Sequence, residues 1–415
     1  MSKALLANNE RSEDGNLRTR NSRLSHSPTT KSCLPQFVRF RFSRDKSSSS
    51  PKKPWKRTHI TLLVLGPEQS GKTSIMKQIQ VVYGGGYNHI ERELYKYIIY
   101  HNVLKTIHTL CYRLYKKRQI PDLDENFEHY KTILKFEPLS KPVWVKGNLV
   151  YQFRNPDDER VKDRARSRLQ EEDYISTLFH KSIPAIKALW ADKAIRNAYT
   201  TRIDPCLQDS AHYFLDDLDR ISERGYIPND TDIVNAYAQT IGMTECRATV
   251  KNDNYLLYDL GGHSSQRHHW ISYYEACECL LYVCALSTYD QVSIWDPKVN
   301  RLEEAVSIFH SLCTNPLLRK ACFVVFLNKI DVMQEKMERG IRVSKYIELY
   351  KGPNQFDPVT RFFWKYFTNQ NKGSLRLMYI HFTTGINIDP ENPRVIFPAA
   401  VASIHRIALE NSGYL

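Results

Sequence analysis

Residues 66–74 read GPEQSGKTS, which fits the frame G-x-x-x-x-G-K-[ST], and the flanking residues decide what that frame becomes. Before it lies HITLLVLG (59–66), a Leu-rich, β-branched run bounded by glycine, the pattern of a fully buried parallel strand. After it, TSIMKQIQVVY places Ile75, Ile79 and Val82 on one helical face. Strand, Gly-rich turn and helix, in that order, are the context a phosphate-binding loop requires. Its backbone N–H groups form an anion nest at the positive end of the following helix. Glu68, Gln69, Ser70, Gly71, Lys72, Thr73 and Ser74 are therefore candidate nucleotide-binding residues. Lys72 would reach the β- and γ-phosphates and the Thr73 hydroxyl would ligate Mg²⁺. The loop by itself does not choose between ATP and GTP.

The remainder sorts into three stretches. Residues 1–57 hold 14 Lys and Arg against 4 Asp and Glu, so ten of the net +14 charges lie there. This stretch is Ser-rich (KSSSSPKKPWKR) and aperiodic, and reads as a disordered basic arm. From 89 to 226 helical spacing dominates, as in LYKYIIYHNVLKTIHTLCYRLY, with no clear strand. Within it RNPDDERVKDRARSRLQEED (154–173) reads as a solvated loop or helix. Strands return from about 243 in YLLYDLGG, CLLYVCAL, CFVVFLNKID and LMYIHFTTG, alternating with helical segments. That alternation predicts a parallel sheet with helices on both faces, built from 58–88 and 227–415, with 89–226 inserted. The apolar runs are too short to cross a bilayer, and no signal peptide is evident. Nine cysteines without metal-ligand spacing read as reduced core thiols of an intracellular protein.

Two further motifs bear on the nucleotide. In NKID (328–331), after a buried run, Asp331 offers a carboxylate to the N1–H and 2-amino group of guanine, donors that adenine lacks. Lys329 would lie along the base and Asn328 would tie the loop to its neighbours. In DLGG (259–262), Asp259 would hold Mg²⁺ through water and the Gly262 N–H would meet a γ-phosphate.

In this order, and with a helical insert, these motifs resemble the alpha subunits of heterotrimeric G proteins. The resemblance runs from about residue 58 to 415 and includes GKTSIMKQIQVVYGGGY, LQDSAHYFLDDLDRI, ALSTYDQ, NRLEEAVSIF, FLNKIDV, HFTTG and the ending SGYL. It implies an α/β fold: a Ras-like phosphate-loop GTPase domain, its sheet mostly parallel, with an inserted all-helical domain. It implies GTP and GDP as ligands, Mg²⁺ as metal, and switching downstream of a seven-helix receptor. Thr240, in the first switch segment, would join Thr73 on Mg²⁺. Asp209 and Ser210 would reach the nucleotide from the insert, and Gly385 would approach the guanine. Gln266 through Trp270 would form the second switch helix, with Arg267 partnered by Glu304 and by a third switch region near Arg301.

The departures bear on catalysis, whose candidate residues are Lys72, Tyr237 and His263. The family's switch Arg, three residues before the Mg²⁺-binding Thr, is Tyr237 here, and no Arg lies between Arg224 and Arg247. The water-orienting Gln after D-x-G-G is His263, and the loop's second Gly and Glu are Glu68 and Gln69. Because the family's Glu faces its Arg, Gln69 and Tyr237 read as the joint loss of one ion pair. An Arg places fixed positive charge where negative charge spreads in the transition state, and tyrosine supplies none. The expectation is retained GTP binding with slow hydrolysis, or a constitutively GTP-bound scaffold that needs no receptor. An ATP-dependent kinase is disfavoured by NKID.

Partners follow the same resemblance. Met1-Ser2-Lys3 lacks the N-myristoylation motif. The basic arm would touch an anionic membrane surface, placing the protein peripherally at the inner face of the plasma membrane. A specific nucleic-acid partner is not expected. The family's beta-gamma dimer would meet an N-terminal helix that is not evident here. VIFPAAVASIHRIALENSGYL reads as a helix beginning near Pro398, ending in the receptor-reading tail.

Overall fold

The computed structural model describes residues 59–117, 124–135, 141–145, 148–152, 164–202, 204, 207–250, 252–293, 296–372, 376, 378–384 and 396–411. The basic arm, Gly385 and the final SGYL lie outside the described residues.

The elements run β1 (Ile60–Leu65), α1 (Lys72–Tyr83), α2 (His89–Lys116), α3 (Asp124–Leu134), β2 (Lys141–Val145), β3 (Asn148–Gln152) and α4 (Arg164–Ala191). The short helices α5 (Lys193–Thr200), α6 (Ala211–Leu215), α7 (Leu218–Ile221) and α8 (Asp230–Asn235) follow. Next come β4 (Gln239–Ile241), β5 (Met243–Val250), β6 (Asp253–Leu260), a 3₁₀ segment at Ser264–Tyr273 and β7 (Cys279–Ala285). The chain closes with α9 (Arg301–Cys313), β8 (Cys322–Asn328), α10 (Ile330–Glu338), α11 (Phe356–Gln370), β9 (Met378–Thr383) and α12 (Ile396–Asn411).

The main sheet has the order β5-β6-β1-β7-β8-β9. Only β5 runs antiparallel, against β6. The central strands β7 and β8 are buried along their whole length, hence their unbroken apolar runs. The edge strand β5 instead alternates exposed and buried residues in its second half. Successive side chains leave opposite faces. Leu63, Leu65, Tyr282 and Phe323 pack with Phe309, Met333 and Phe363 on one side, while Leu62, Val64, Val283 and Phe326 pack with Ile75, Ile79, Phe397 and Val401 on the other. Register brings Val64 beside Asp259 and Ala285 beside Asn328, so the motif residues collect at the carboxyl ends of the parallel strands.

The insert has its own core around α2, where Ile98, Leu104, Ile107, Phe179, Leu189 and Ile233 are buried together. Tyr100 and Phe179 stack there at 4.0 Å. A capping box at Asn88 and Glu91 starts α2. The insert is not purely helical, in contrast to the sequence expectation. β2 and β3 pair antiparallel, and β2 also pairs parallel with β4, setting Trp144 against Thr240. Runs as short as PVWV and LVYQ carry too few residues for a period-2 signal to stand out from helical neighbours. In the charged patch, residues from Arg164 onward form the first turns of α4. Every described cysteine is a buried free thiol. No described helix is long and apolar enough to cross a membrane.

Candidate nucleotide site

The phosphate loop links β1 to α1. Gly71 takes φ 99°, and a Cβ there would lie 2.2 Å from the Asn328 amide nitrogen, so both conformation and contact require glycine. That amide donates to the Ser70 carbonyl (2.9 Å), while its oxygen accepts from the Thr383 hydroxyl (3.0 Å). Asn328 thereby staples NKID to both the loop and the end of β9. Lys329 caps α10 in left-handed geometry, and its ammonium donates to the Gln69 carbonyl (2.7 Å) and to Asp209 Oδ2 (2.6 Å). Asp209 Oδ1 accepts from Arg202. These two cations hold the Asp209 carboxyl well below its ordinary range, overcoming the opposite and largest effect, burial. The insert is thus clasped to the candidate base-reading loop. Ser210 donates to the Asn235 carbonyl (2.8 Å).

A cleft between the two halves is lined by Gln69, Gly71, Lys72, Thr73 and Ser74, by Asp209, Ser210 and Tyr237, and by Asn328, Lys329 and Asp331. Asp331 stands in the first turn of α10. Lys72 is buried and donates to the carbonyls of Gly66 (2.9 Å) and Pro67 (2.8 Å). Burial lowers its ammonium to about 8, against the raising influence of Asp259 and Glu68. Gly262 packs on the loop so closely that a Cβ would sit 2.4 Å from the Lys72 ammonium and 2.6 Å from the Gly66 carbonyl.

Thr73 and Thr240 bring their hydroxyls within 3.1 Å of each other, and Thr73 donates to Asp259 Oδ2 (2.8 Å). Asp259 Oδ1 is buried without a hydrogen-bond partner among the described residues, and burial pushes this carboxyl up. Two hydroxyls and an under-satisfied carboxylate are hard oxygen donors, a set that fits Mg²⁺. Thr73 and Thr240 would hold the ion, with Asp259 behind them.

The four departing residues take up unexpected partners. Gln69 takes its hydrogen-bond partner from α9. Its amide oxygen accepts from Arg301 (3.0 Å), a buried guanidinium at the start of α9 that also donates to the Glu68 carbonyl (2.9 Å). An arginine therefore does reach the loop, on its carbonyl side, opposite to the inward N–H nest. Tyr237 instead directs its hydroxyl to Glu68 Oε1 (3.2 Å), and Asn102 of α2 grips its backbone N–H (2.7 Å) and C=O (2.8 Å). His263 Nδ1 accepts from the Ser265 N–H (3.3 Å) and meets the Ser265 hydroxyl (2.8 Å), so the imidazole caps its own turn. Arg267 pairs with Glu304 (2.8 Å), the partner that the resemblance implied.

Sequence reading missed Asn102, Lys77 and Arg202. Lys77 lies in α1 among apolar neighbours and donates to the carbonyls of Ile233 (2.9 Å) and Ala236 (2.6 Å), fixing the end of α8 before the switch. Polar residues interrupting buried stripes, Lys77 in IMKQI and Asn102 in HNVL, are the signal that could have found them.

A strand-to-helix phosphate loop, a hard-oxygen metal set and an Asn-Lys-x-Asp loop at sheet carboxyl ends define a guanine-nucleotide-binding protein of the phosphate-loop class. Residues 42–404 match the family model for the G-protein alpha subunit, and the chain belongs to that family. Guanine nucleotide-binding protein alpha subunits of Sporothrix schenckii and Cryphonectria parasitica are each 29% identical over 328 residues, covering 79% of this chain and 83% of theirs. The Colletotrichum trifolii protein is 29% identical over 332 residues, covering 80% and 84%. Members of this family are guanine-nucleotide-binding switches of signal transduction.

Proposed function

We propose that this alpha subunit binds GTP and GDP with Mg²⁺, hydrolyses GTP slowly, and is switched on by nucleotide exchange driven through its last helix. The observation that carries slow hydrolysis is the Tyr237–Glu68 hydrogen bond, which puts a phenol and a carboxylate where the family has an arginine and a glycine. Lys72, whose ammonium donates to the Gly66 and Pro67 carbonyls, would supply the phosphate-binding cation. His263 is engaged in its own turn. The catalytic power of a fixed guanidinium, roughly 10³–10⁵ in rate, is what the site lacks. The test is single-turnover phosphate release from protein preloaded with GTP and Mg²⁺. Intact GTP after hours supports the reading, and phosphate within minutes overturns it.

Exchange has a physical route. On α12, Ser403 meets His381 of β9 (3.1 Å), and two residues on Thr383 donates to Asn328, which holds the Ser70 carbonyl. A seven-helix receptor pulling on α12 would loosen the phosphate loop and the base-reading loop together. Alanine at Ser403 should then blunt receptor-stimulated GDP release while leaving spontaneous release unchanged. Beta-gamma pairing and peripheral attachment at the plasma membrane through the basic arm belong to the same reading, tested by co-purification and by vesicle sedimentation with and without residues 1–57.

A second reading, a GTP-bound scaffold independent of receptors, is favoured by the Arg267–Glu304 pair, which ties the second switch to α9. Rapid spontaneous GDP release without a receptor would select it.

A further inference from the structure

We propose that Glu68 is a specificity-determining residue that biases this site toward the nucleoside diphosphate and against the triphosphate. The inference rests on the guanine-nucleotide reading above.

Glu68 is a half-buried carboxylate within the phosphate loop itself, three residues before the glycine that opens α1. Its position is defined from two sides. Arg301 holds its backbone carbonyl, and the Tyr237 hydroxyl holds its side chain at 3.2 Å. Asn102 grips both backbone polar groups of Tyr237, which fixes the point from which the phenol reaches Glu68. The carboxylate is close enough to Lys72 for its field to reach that ammonium. Among the described residues its side-chain hydrogen bond comes from a neutral phenol, which brings no cation to offset a carboxylate. Arg301, the guanidinium on the loop, donates to the Glu68 carbonyl and to the Gln69 and Gln291 amide oxygens.

A β-phosphate is met by the N–H nest and Lys72 in either nucleotide. A γ-phosphate adds negative charge beside Lys72, in the cleft that Tyr237 lines while its hydroxyl holds the Glu68 carboxylate. At an effective dielectric of about 20, one such charge shifts the relative affinity of the two nucleotides by roughly tenfold. The Tyr237–Glu68 bond also bridges the first switch to the phosphate loop, so triphosphate entry would have to displace it.

The experiment measures equilibrium affinities of the full chain for GDP and for a non-hydrolysable GTP analogue, with Mg²⁺, at low and high salt. The quantity read is the ratio of the two. Glu68→Gln, nearly isosteric, is expected to raise the analogue-to-GDP affinity ratio by roughly tenfold, and Tyr237→Phe by a few-fold, since it frees the carboxylate to turn to solvent. In the native protein alone the ratio should rise with salt, as screening weakens the repulsion. A ratio unchanged within about twofold by Glu68→Gln, or insensitive to salt, overturns the proposal while leaving guanine-nucleotide binding intact. Failure of the native protein to bind either nucleotide overturns both.

Discussion

Restoring the missing guanidinium is a two-residue problem. Tyr237→Arg places a cation where the phenol now stands, but the phenol lies 3.2 Å from Glu68. An arginine there has a carboxylate waiting before any phosphate arrives. A unit charge pair at about 4 Å is worth roughly 4 kcal/mol at an effective dielectric of 20, and desolvation and screening at a half-buried site leave about 1–2 kcal/mol. The guanidinium must give that up to serve the transition state. From the roughly 4–7 kcal/mol of an arginine finger, Tyr237→Arg alone should therefore recover only part. Its single-turnover rate should rise by about tenfold or more, and pairing it with Glu68→Gly should add about another tenfold. Glu68→Gly alone, which supplies no cation, should change the rate little. Quenched-flow phosphate release from the four proteins, preloaded with GTP, gives the complete cycle. A double variant no faster than Tyr237→Arg would refute Glu68 as the trap. No acceleration in either would refute the missing charge as the cause of slow turnover.

Other consequences are simpler to test. Asp209→Asn leaves Arg202 and Lys329 facing each other without their carboxylate, and fluorescent GDP should dissociate at least about tenfold faster as the clasp loosens. Asp331→Asn should weaken GTP and admit xanthosine triphosphate, whose 2-oxo group matches the new amide, and competition binding reads the exchange of preference. Lys77 is lowered by burial to about 7 from an ordinary 10.5, so above about pH 7 the folded state sheds a proton that the unfolded chain keeps. Stability should therefore rise from pH 7 toward 9 with a slope approaching about 1.4 kcal/mol per pH unit, and Lys77→Met should flatten that rise in urea titrations. Replacing residues 141–152 with a short linker removes the strand that pairs with β4 beside Thr240, and Mg²⁺-dependent GDP retention should fall in nucleotide-release assays.

Most of the candidate site was legible because its chemistry is local. The phosphate loop needs only a buried strand, a glycine turn and a helix start within some fifteen residues, and each is dictated by side-chain periodicity and backbone freedom at Gly71. NKID follows a strand whose unbroken apolar run announces burial, DLGG follows the shorter run YLLY, and parallel register then carries Asn328 and Asp259 to the same edge. The Arg267–Glu304 pair was legible through the resemblance alone.

What only the tertiary structure decided is who faces whom. Gln69 meets Arg301 across 232 residues and Tyr237 is gripped by Asn102 across 135, separations over which spacing carries no information. The same holds for the hairpin β2–β3, whose strand partner β4 lies nearly a hundred residues further on. A side chain's residue type fixes what it can donate or accept. Its partner is chosen by the packing that brings two distant segments together, and that packing gave Glu68 a phenol and Gln69 a guanidinium.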